Sequence, residues 1–154
     1  MRKMTKLGYS AQDLDEETTA RAMGRELQIS PKKAVELCRA IRGKSVEDAK
    51  EYLERVIAMK QAVPMKRHKM MVAHKPGIGP GRYPVKVARS FLKVLQSAEE
   101  NAEYKGLDVD TMRVRVMAAH KGATTKGYMP RAHGRSSPWN HETVNLEIVL
   151  EEVE

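Results

Sequence analysis

Met112-Arg113-Val114-Arg115-Val116-Met117-Ala118 alternates apolar and polar side chains, and Thr143-Val144-Asn145-Leu146-Glu147-Ile148-Val149-Leu150 does the same. Successive side chains of an extended strand point to opposite faces, so this period marks strands with one buried face. On the first strand the pattern puts Met112, Val114, Val116 and Ala118 inward, with Arg113, Arg115 and Met117 outward. On the second it puts Val144, Leu146, Ile148 and Leu150 inward, with Thr143, Asn145, Glu147 and Val149 outward. Matched apolar faces predict an antiparallel pair, with Glu147 available to neutralise Arg113 or Arg115 across it. About 24 residues separate the two runs, too many for a tight turn, and Gly122, Gly127, Pro130, Gly134 and Pro138 fill the interval. If the strands simply continue, the hairpin reaches roughly 12 residues beyond the core, on the order of 40 Å at ~3.3 Å per residue. A bare two-stranded ribbon is marginal in water, so this one needs something to lie against.

Upstream, the periodicity changes to that of helices. Ser30-Pro31 is a helix start, followed by Ala34, Leu37, Cys38 and Ile41 on one face and by Gly43 at the stop position. Ser45-Val46-Glu47-Asp48 resembles a capping box and opens a second helix that reaches about Met59 and buries Val46, Ala49, Leu53, Val56 and Ile57. The two form a helical hairpin around Gly43-Lys44. Tyr83-Pro84 opens a third helix, ending near Lys105 at Gly106, with Ala88, Phe91, Leu92, Leu95, Ala98 and Ala102 as its buried stripe. Residues 21–29 read as a strand with Met23, Leu27 and Ile29 on one face, although Gly24 weakens it. Residues 1–19 read as a polar extension. Residues 60–84 read as a long basic loop, because Pro64, Pro76, Pro80 and Pro84 with Gly77, Gly79 and Gly81 break every period. Residues 20–154 are then one domain of mixed α/β (α+β) class, in which the hairpin spans 111–150 and its tip 122–140.

The charge is segregated. Residues 55–98 hold ten Lys and Arg and no acid, and residues 111–141 hold six more and no acid, in a chain of net charge +8. A solvated face interleaves signs, so long acid-free basic stretches call for an anionic partner, of which phosphate is the commonest. The alternative is an ordinary basic surface. In the third helix, Lys86, Arg89 and Lys93 come before Glu99, Glu100 and Glu103, against the preference of the helix dipole. That order suggests a basic end kept for a ligand.

Several classes of function drop out. The chain has 154 residues, 41% of them apolar, enough for a core, and a single Cys, which excludes a disulfide framework and a four-Cys zinc site. No apolar run approaches the ~18 residues of a membrane span, and basic Met1-Arg2-Lys3 leads into no apolar signal region, so a reduced intracellular compartment is expected. His68, His74, His120, His133 and His141 lack metal-ligand spacing, and Gly77-Ile78-Gly79-Pro80-Gly81 lacks the strand and the Lys-Ser/Thr ending of a phosphate loop. No catalytic residue, metal or cofactor is expected. Lys126-Gly127-Tyr128-Met129-Pro130-Arg131-Ala132-His133-Gly134-Arg135 instead combines cations for phosphates with rings for bases. Tyr128, His133 and Trp139 can stack on unpaired bases, and Gly127 and Gly134 permit close backbone approach. A floppy basic loop, a free-standing regulatory nucleic-acid module and an RNA-processing enzyme using His120, His133 or His141 are the alternatives.

Three stretches carry a family resemblance. They are Leu27-Gln28-Ile29-Ser30-Pro31-Lys32-Lys33-Ala34 with Ile41-Arg42-Gly43-Lys44-Ser45-Val46; Ser97-Ala98-Glu99-Glu100-Asn101-Ala102-Glu103 with Gly106-Leu107-Asp108-Val109-Asp110; and Met129-Pro130-Arg131-Ala132-His133-Gly134-Arg135. In that order the chain resembles the universal large-subunit ribosomal protein of family twenty-two, in its archaeal and eukaryotic form. The resemblance implies three helices packed on a small three-stranded antiparallel sheet, with a long protruding β-hairpin that threads large-subunit ribosomal RNA and lines the polypeptide exit tunnel. It implies a structural role in translation within the cytoplasmic large subunit, with rRNA, neighbouring ribosomal proteins and the nascent polypeptide as partners. The tip would comprise Lys126, Tyr128, Met129, Arg131 and His133. The RNA-binding set would comprise Lys66, Arg67, Lys69, Lys75, Arg82, Lys86, Arg89, Arg113, Arg115, Lys121, Lys126, Arg131, Arg135 and Trp139. Residues 1–19 and 60–84 exceed the bacterial form of the family, and Gly127-Tyr128 departs from the bacterial tip.

Overall fold

A computed structural model describes residues 8–11 and 14–153. Strand β1 (Thr19–Leu27) leads into helices α1 (Pro31–Ile41) and α2 (Val46–Ile57). Three short strands follow, β2 (Val63–Pro64), β3 (His74–Lys75) and β4 (Gly79–Arg82). Helix α3 (Val85–Lys105) then leads to β5 (Met112–Thr125), β6 (Tyr128–Pro130), β7 (Ser136–Pro138) and β8 (His141–Glu152). The main sheet is antiparallel, in the order β1-β8-β5.

The helices form where their apolar stripes dictate. Ala34, Leu37, Cys38 and Ile41 of α1 are buried, as the i, i+3, i+4, i+7 spacing requires. Ser45 caps α2 by accepting the Asp48 backbone N–H at 3.1 Å, and α2 stops at Ile57 rather than Met59. Ser30 occupies the N-cap of α1 in extended conformation but makes no side-chain cap bond. Gly106 ends α3 in the left-handed conformation, at φ 78°. On α3 the buried stripe includes Val87 and Val94, and Leu92 lies at its margin. Side chains such as Phe91, Leu95, Leu37 and Leu53 are removed from water altogether. Each contributes about 1.5–3 kcal/mol of transfer free energy.

Besides a register shift in the ribbon between Lys121 and Thr124, the sheet departs from simple alternation at three places. On β5 the register jumps between Val114, opposite Leu150, and Val116, opposite Val149. Arg115 is the extra residue of this bulge. Beyond it the phase inverts, so Met117 is fully buried while Val116 and Ala118 are only partly so. The inward assignment of Val116 and Ala118 is thereby corrected. The bulge lies where the α1–α2 turn docks on the strand edge: Gly43 N–H donates to the Val114 carbonyl (2.8 Å) and Val114 N–H to the Lys44 carbonyl (2.9 Å). On β1 the core face is Ala20 and Ala22, with Gly24 continuing it, not Met23. A shift between Gly24 and Leu27 then brings Leu27 and Ile29 back to the core. Glu26 sits in that shift at φ 49°, and its N–H donates to Asn145 Oδ1 (2.8 Å).

The third departure concerns β8, where every residue from 144 to 150 is buried. As the central strand it has neighbours on both sides. Its even-numbered residues face the helices, and the chain before β1 crosses the opposite face. There Ser10 donates to Glu147 from both N–H (2.9 Å) and Oγ (2.8 Å), and His120 Nε2 lies 3.1 Å from the same carboxylate. Glu147 therefore serves Ser10 and His120 rather than Arg113 or Arg115, and Arg115 pairs with Glu151 instead. The part of the polar extension covering residues 1–7, 12 and 13 lies outside the described residues. Residues 60–84 are not a structureless loop: β2, β4 and β3 pair in that order, and Val63 and Met65 are buried against the core.

Candidate nucleic-acid interface

The β5–β8 ladder runs from Met112 opposite Glu152 to Thr125 opposite His141. The chain then pairs again as β6 and β7, with Tyr128, Met129 and Pro130 opposite Pro138, Ser137 and Ser136. Trp139 N–H donates to the Gly127 carbonyl at 2.6 Å and bridges the two ladders. The tip closes at Arg131, whose N–H donates to the Arg135 carbonyl (2.8 Å), around His133 and Gly134 at φ 59° and 68°. No residue in 120–143 is buried. This is a β-paired ribbon carried outside the core.

Glycines make the ribbon possible in two ways. A Cβ on Gly127 would lie 2.6 Å from the Trp139 carbonyl oxygen, and one on Gly122 would lie 2.4 Å from Thr143 Oγ1. Gly134 has open space around it and serves the positive φ of the turn instead.

The cations fall into three groups. At the tip, Lys126, Arg131 and Arg135 are exposed beside Tyr128 and His133, Trp139 is half exposed, and Met129 is partly covered. Arg131 Nε is held by Ser137 Oγ at 2.7 Å. On the core sheet below the ribbon, Arg113 is exposed and Arg115 is engaged by Glu151, and at the ribbon's base Lys121 is engaged by Glu142 at 2.7 Å. Beside the neck, a cleft of about 600 Å³ is lined by Lys86 of α3, Ser30 and Pro31 of the α1 start, and Thr125, Asn140, His141 and Glu142 of the hairpin. Arg89 is exposed one helical turn further along α3.

The third group forms around β2–β4. Lys66, Arg67, Lys69 and Arg82 are exposed, and Lys75 is half-buried, with its ammonium 5.3 Å from the Tyr83 ring centre. A second cleft, of about 360 Å³, is lined by Arg67, His68 and Arg82 together with Lys32 and Lys33 of α1. Sequence reasoning did not assign those two lysines. Their signal was available: α1 carries no acid in its first turn and two cations, the same inversion of dipole preference noted on α3.

No group of three or more His, Cys, Asp or Glu that could hold a metal occurs among the described residues. His120, His133 and His141 occupy different levels of the ribbon, at the base, the turn and the neck. Cys38 is buried on α1, and burial pushes its thiol up to about 12 despite the nearby Arg42 charge. At neutral pH it is an inert thiol, not a nucleophile. No helix among the described residues is long and apolar enough to cross a membrane.

The family model for ribosomal protein L22p/L17e matches residues 22–151. A large ribosomal subunit protein uL22 from Methanopyrus kandleri is 52% identical over 145 residues, covering 92% of this chain and 91% of its own length. Relatives of the same name from Methanococcoides burtonii and Archaeoglobus fulgidus are 51% and 48% identical, with 97% and 96% of this chain and 99% and 97% of their own lengths covered. With the matched region reaching from β1 to the end of β8, the chain belongs to the ribosomal protein L22p/L17e family.

Proposed function

We propose that this protein is a structural constituent of the large ribosomal subunit in the cytoplasm, where it binds large-subunit rRNA and contacts neighbouring ribosomal proteins without catalysing a reaction. The observation that carries the reading is that exposed cations of two acid-free windows gather at the tip of the ribbon and in the cleft between α1 and β2–β4. Membership of a family of ribosomal proteins supplies the setting. Lys66, Arg67, Lys69, Lys75, Arg82, Lys86 and Arg89 bind phosphates around the globular part. Arg113 and Arg115 do so on the core sheet, Lys121 at the base of the ribbon, and Lys126, Arg131 and Arg135 at the tip, where Trp139 stacks on a base. Arg115 and Lys121 act more weakly than the rest, because each already has an internal acidic partner. Affinity arises mainly from phosphate neutralisation and falls steeply with salt.

The tip residues Lys126, Tyr128, Met129, Arg131 and His133 line the polypeptide exit tunnel and meet the nascent chain. A ribbon that is marginal alone but rigidly paired to its end is suited to threading between RNA segments. A photo-cross-linker placed at Met129 in translating ribosomes tests this. It should capture nascent polypeptide, whereas the same group at exposed Met59 on the globular part should not. Capture at neither position, or only at Met59, would refute the tunnel assignment.

A further inference from the structure

Glu36 is the one acid of α1 on its buried side, at 1% exposure. Its Oε1 accepts the backbone N–H of Arg67 (2.6 Å) and of His68 (2.9 Å), from a segment 31 and 32 residues away in sequence. Arg39 Nη1 stands 3.8 Å from Oε2, and Oε2 itself has no hydrogen-bond partner. Burial raises the proton affinity of this carboxyl. The N–H donors of His68, Arg67 and Lys66, with the Arg39 charge, outweigh that effect and hold the group below its ordinary value, hence ionised.

A buried carboxylate is expensive unless something uses it. Here its two donors belong to the basic turn at residues 66–69, whose Arg67 and His68 line the second cleft with Lys32, Lys33 and Arg82. Among the described residues the turn is otherwise tied down by Met65 N–H donating to the Pro80 carbonyl at 2.9 Å and by the burial of the Met65 side chain. Lys66, Arg67 and Lys69 are like charges close together along the chain and repel one another, so the free chain gains nothing by presenting them together.

We infer that Glu36 is a positioning residue for RNA binding: its carboxylate pins the 66–69 turn to α1, so that Arg67 and its neighbours meet Lys32, Lys33 and Arg82 around one phosphodiester site. The inference rests on the proposed RNA-binding role and assigns Lys32 and Lys33 to that surface. It also makes an acid essential to binding an anion, which bulk electrostatics forbids. Removing a negative charge from a basic protein should tighten RNA binding; removing this one should weaken it.

The test measures binding of the full chain to protein-free archaeal large-subunit rRNA across a salt series, for the wild type, Glu36→Leu and Glu36→Gln. Both variants delete the same charge, but only Gln keeps a carbonyl acceptor. Leu should weaken binding about tenfold and lower the slope of log K against log salt by about 0.7–0.9 for each phosphate that is no longer neutralised. Gln should fall between Leu and the wild type. Equal or tighter binding by both variants, with an unchanged salt slope, would overturn the inference. If Leu fails to fold, the Gln variant decides, since binding tighter than the wild type contradicts positioning and weaker binding supports it. Failure of the wild type to bind the rRNA would instead refute the functional reading itself.

Discussion

Substituting Gly127 by Ala isolates the rigidity of the tip from the stability of the core. The added Cβ would stand 2.6 Å from the Trp139 carbonyl oxygen, while ordinary contact begins at 3.4 Å, so the strands must part by about 0.8 Å. The Trp139 N–H to Gly127 carbonyl bond, 2.6 Å long, then stretches to about 3.4 Å, the weak end of the hydrogen-bonding range. A lost hydrogen bond costs about 1 kcal/mol, and overpacking about 1–3 kcal/mol. Only three residue pairs hold β6 to β7, so the ladder cannot absorb a cost of about 2 kcal/mol, a factor of about 30 in its closing equilibrium. A ribbon that is marginal in free solution is closed about half the time, so its closed fraction, and RNA affinity with it, should fall by about 15-fold. Trp139 is the only tryptophan, so its fluorescence reports the tip directly. Its anisotropy should drop, while the melting temperature of the core shifts by less than about 2 °C. Anisotropy and affinity within twofold of wild type would refute the close-approach argument. A core melting temperature lowered by more than about 5 °C would refute the separability of the tip.

The β5 bulge makes a second prediction. Met117→Ala should cost about 2–5 kcal/mol in denaturant unfolding and Val116→Ala less than about 1 kcal/mol; the reverse order would restore uninterrupted alternation and remove the bulge at Arg115. Cys38 should resist a thiol reagent at pH 8 in the native protein and react fully in guanidinium, because a thiol pushed up to about 12 by burial is protonated there. Rapid labelling without denaturant would show that the α1 face is open.

Much of the fold was legible because hydrophobic period reports burial directly. The stripe of α1 and the inward residues of β8 follow from spacing alone, whereas on α2 Tyr52 joins the buried stripe and Ile57 is only partly buried. What spacing could not show was a one-residue insertion. Val116 and Met117 are both apolar, so no polar residue marks where Arg115 shifts the phase. Val149 reads as outward and is buried, because β8 is central and the N-terminal segment covers its far face. Of the tip glycines, Gly127 is the site of close approach that its type suggests, whereas at Gly134 the operative property is the positive φ. Glu36 gives no signal in the sequence because its partners, the Arg67 and His68 amides, are backbone groups far along the chain. Residues 60–84 read as structureless because strands of two to four residues are too short to show a period among so many Pro and Gly.

The proposed function requires that the basic ribbon and the cleft between α1 and β2–β4 serve one RNA partner within the large subunit. Sedimentation of a tagged chain from lysate through a sucrose gradient at physiological salt tests it most directly. Co-migration with the large subunit, at one copy per particle, is the predicted result. Recovery of the chain at the top of the gradient, free of the large subunit, would contradict it.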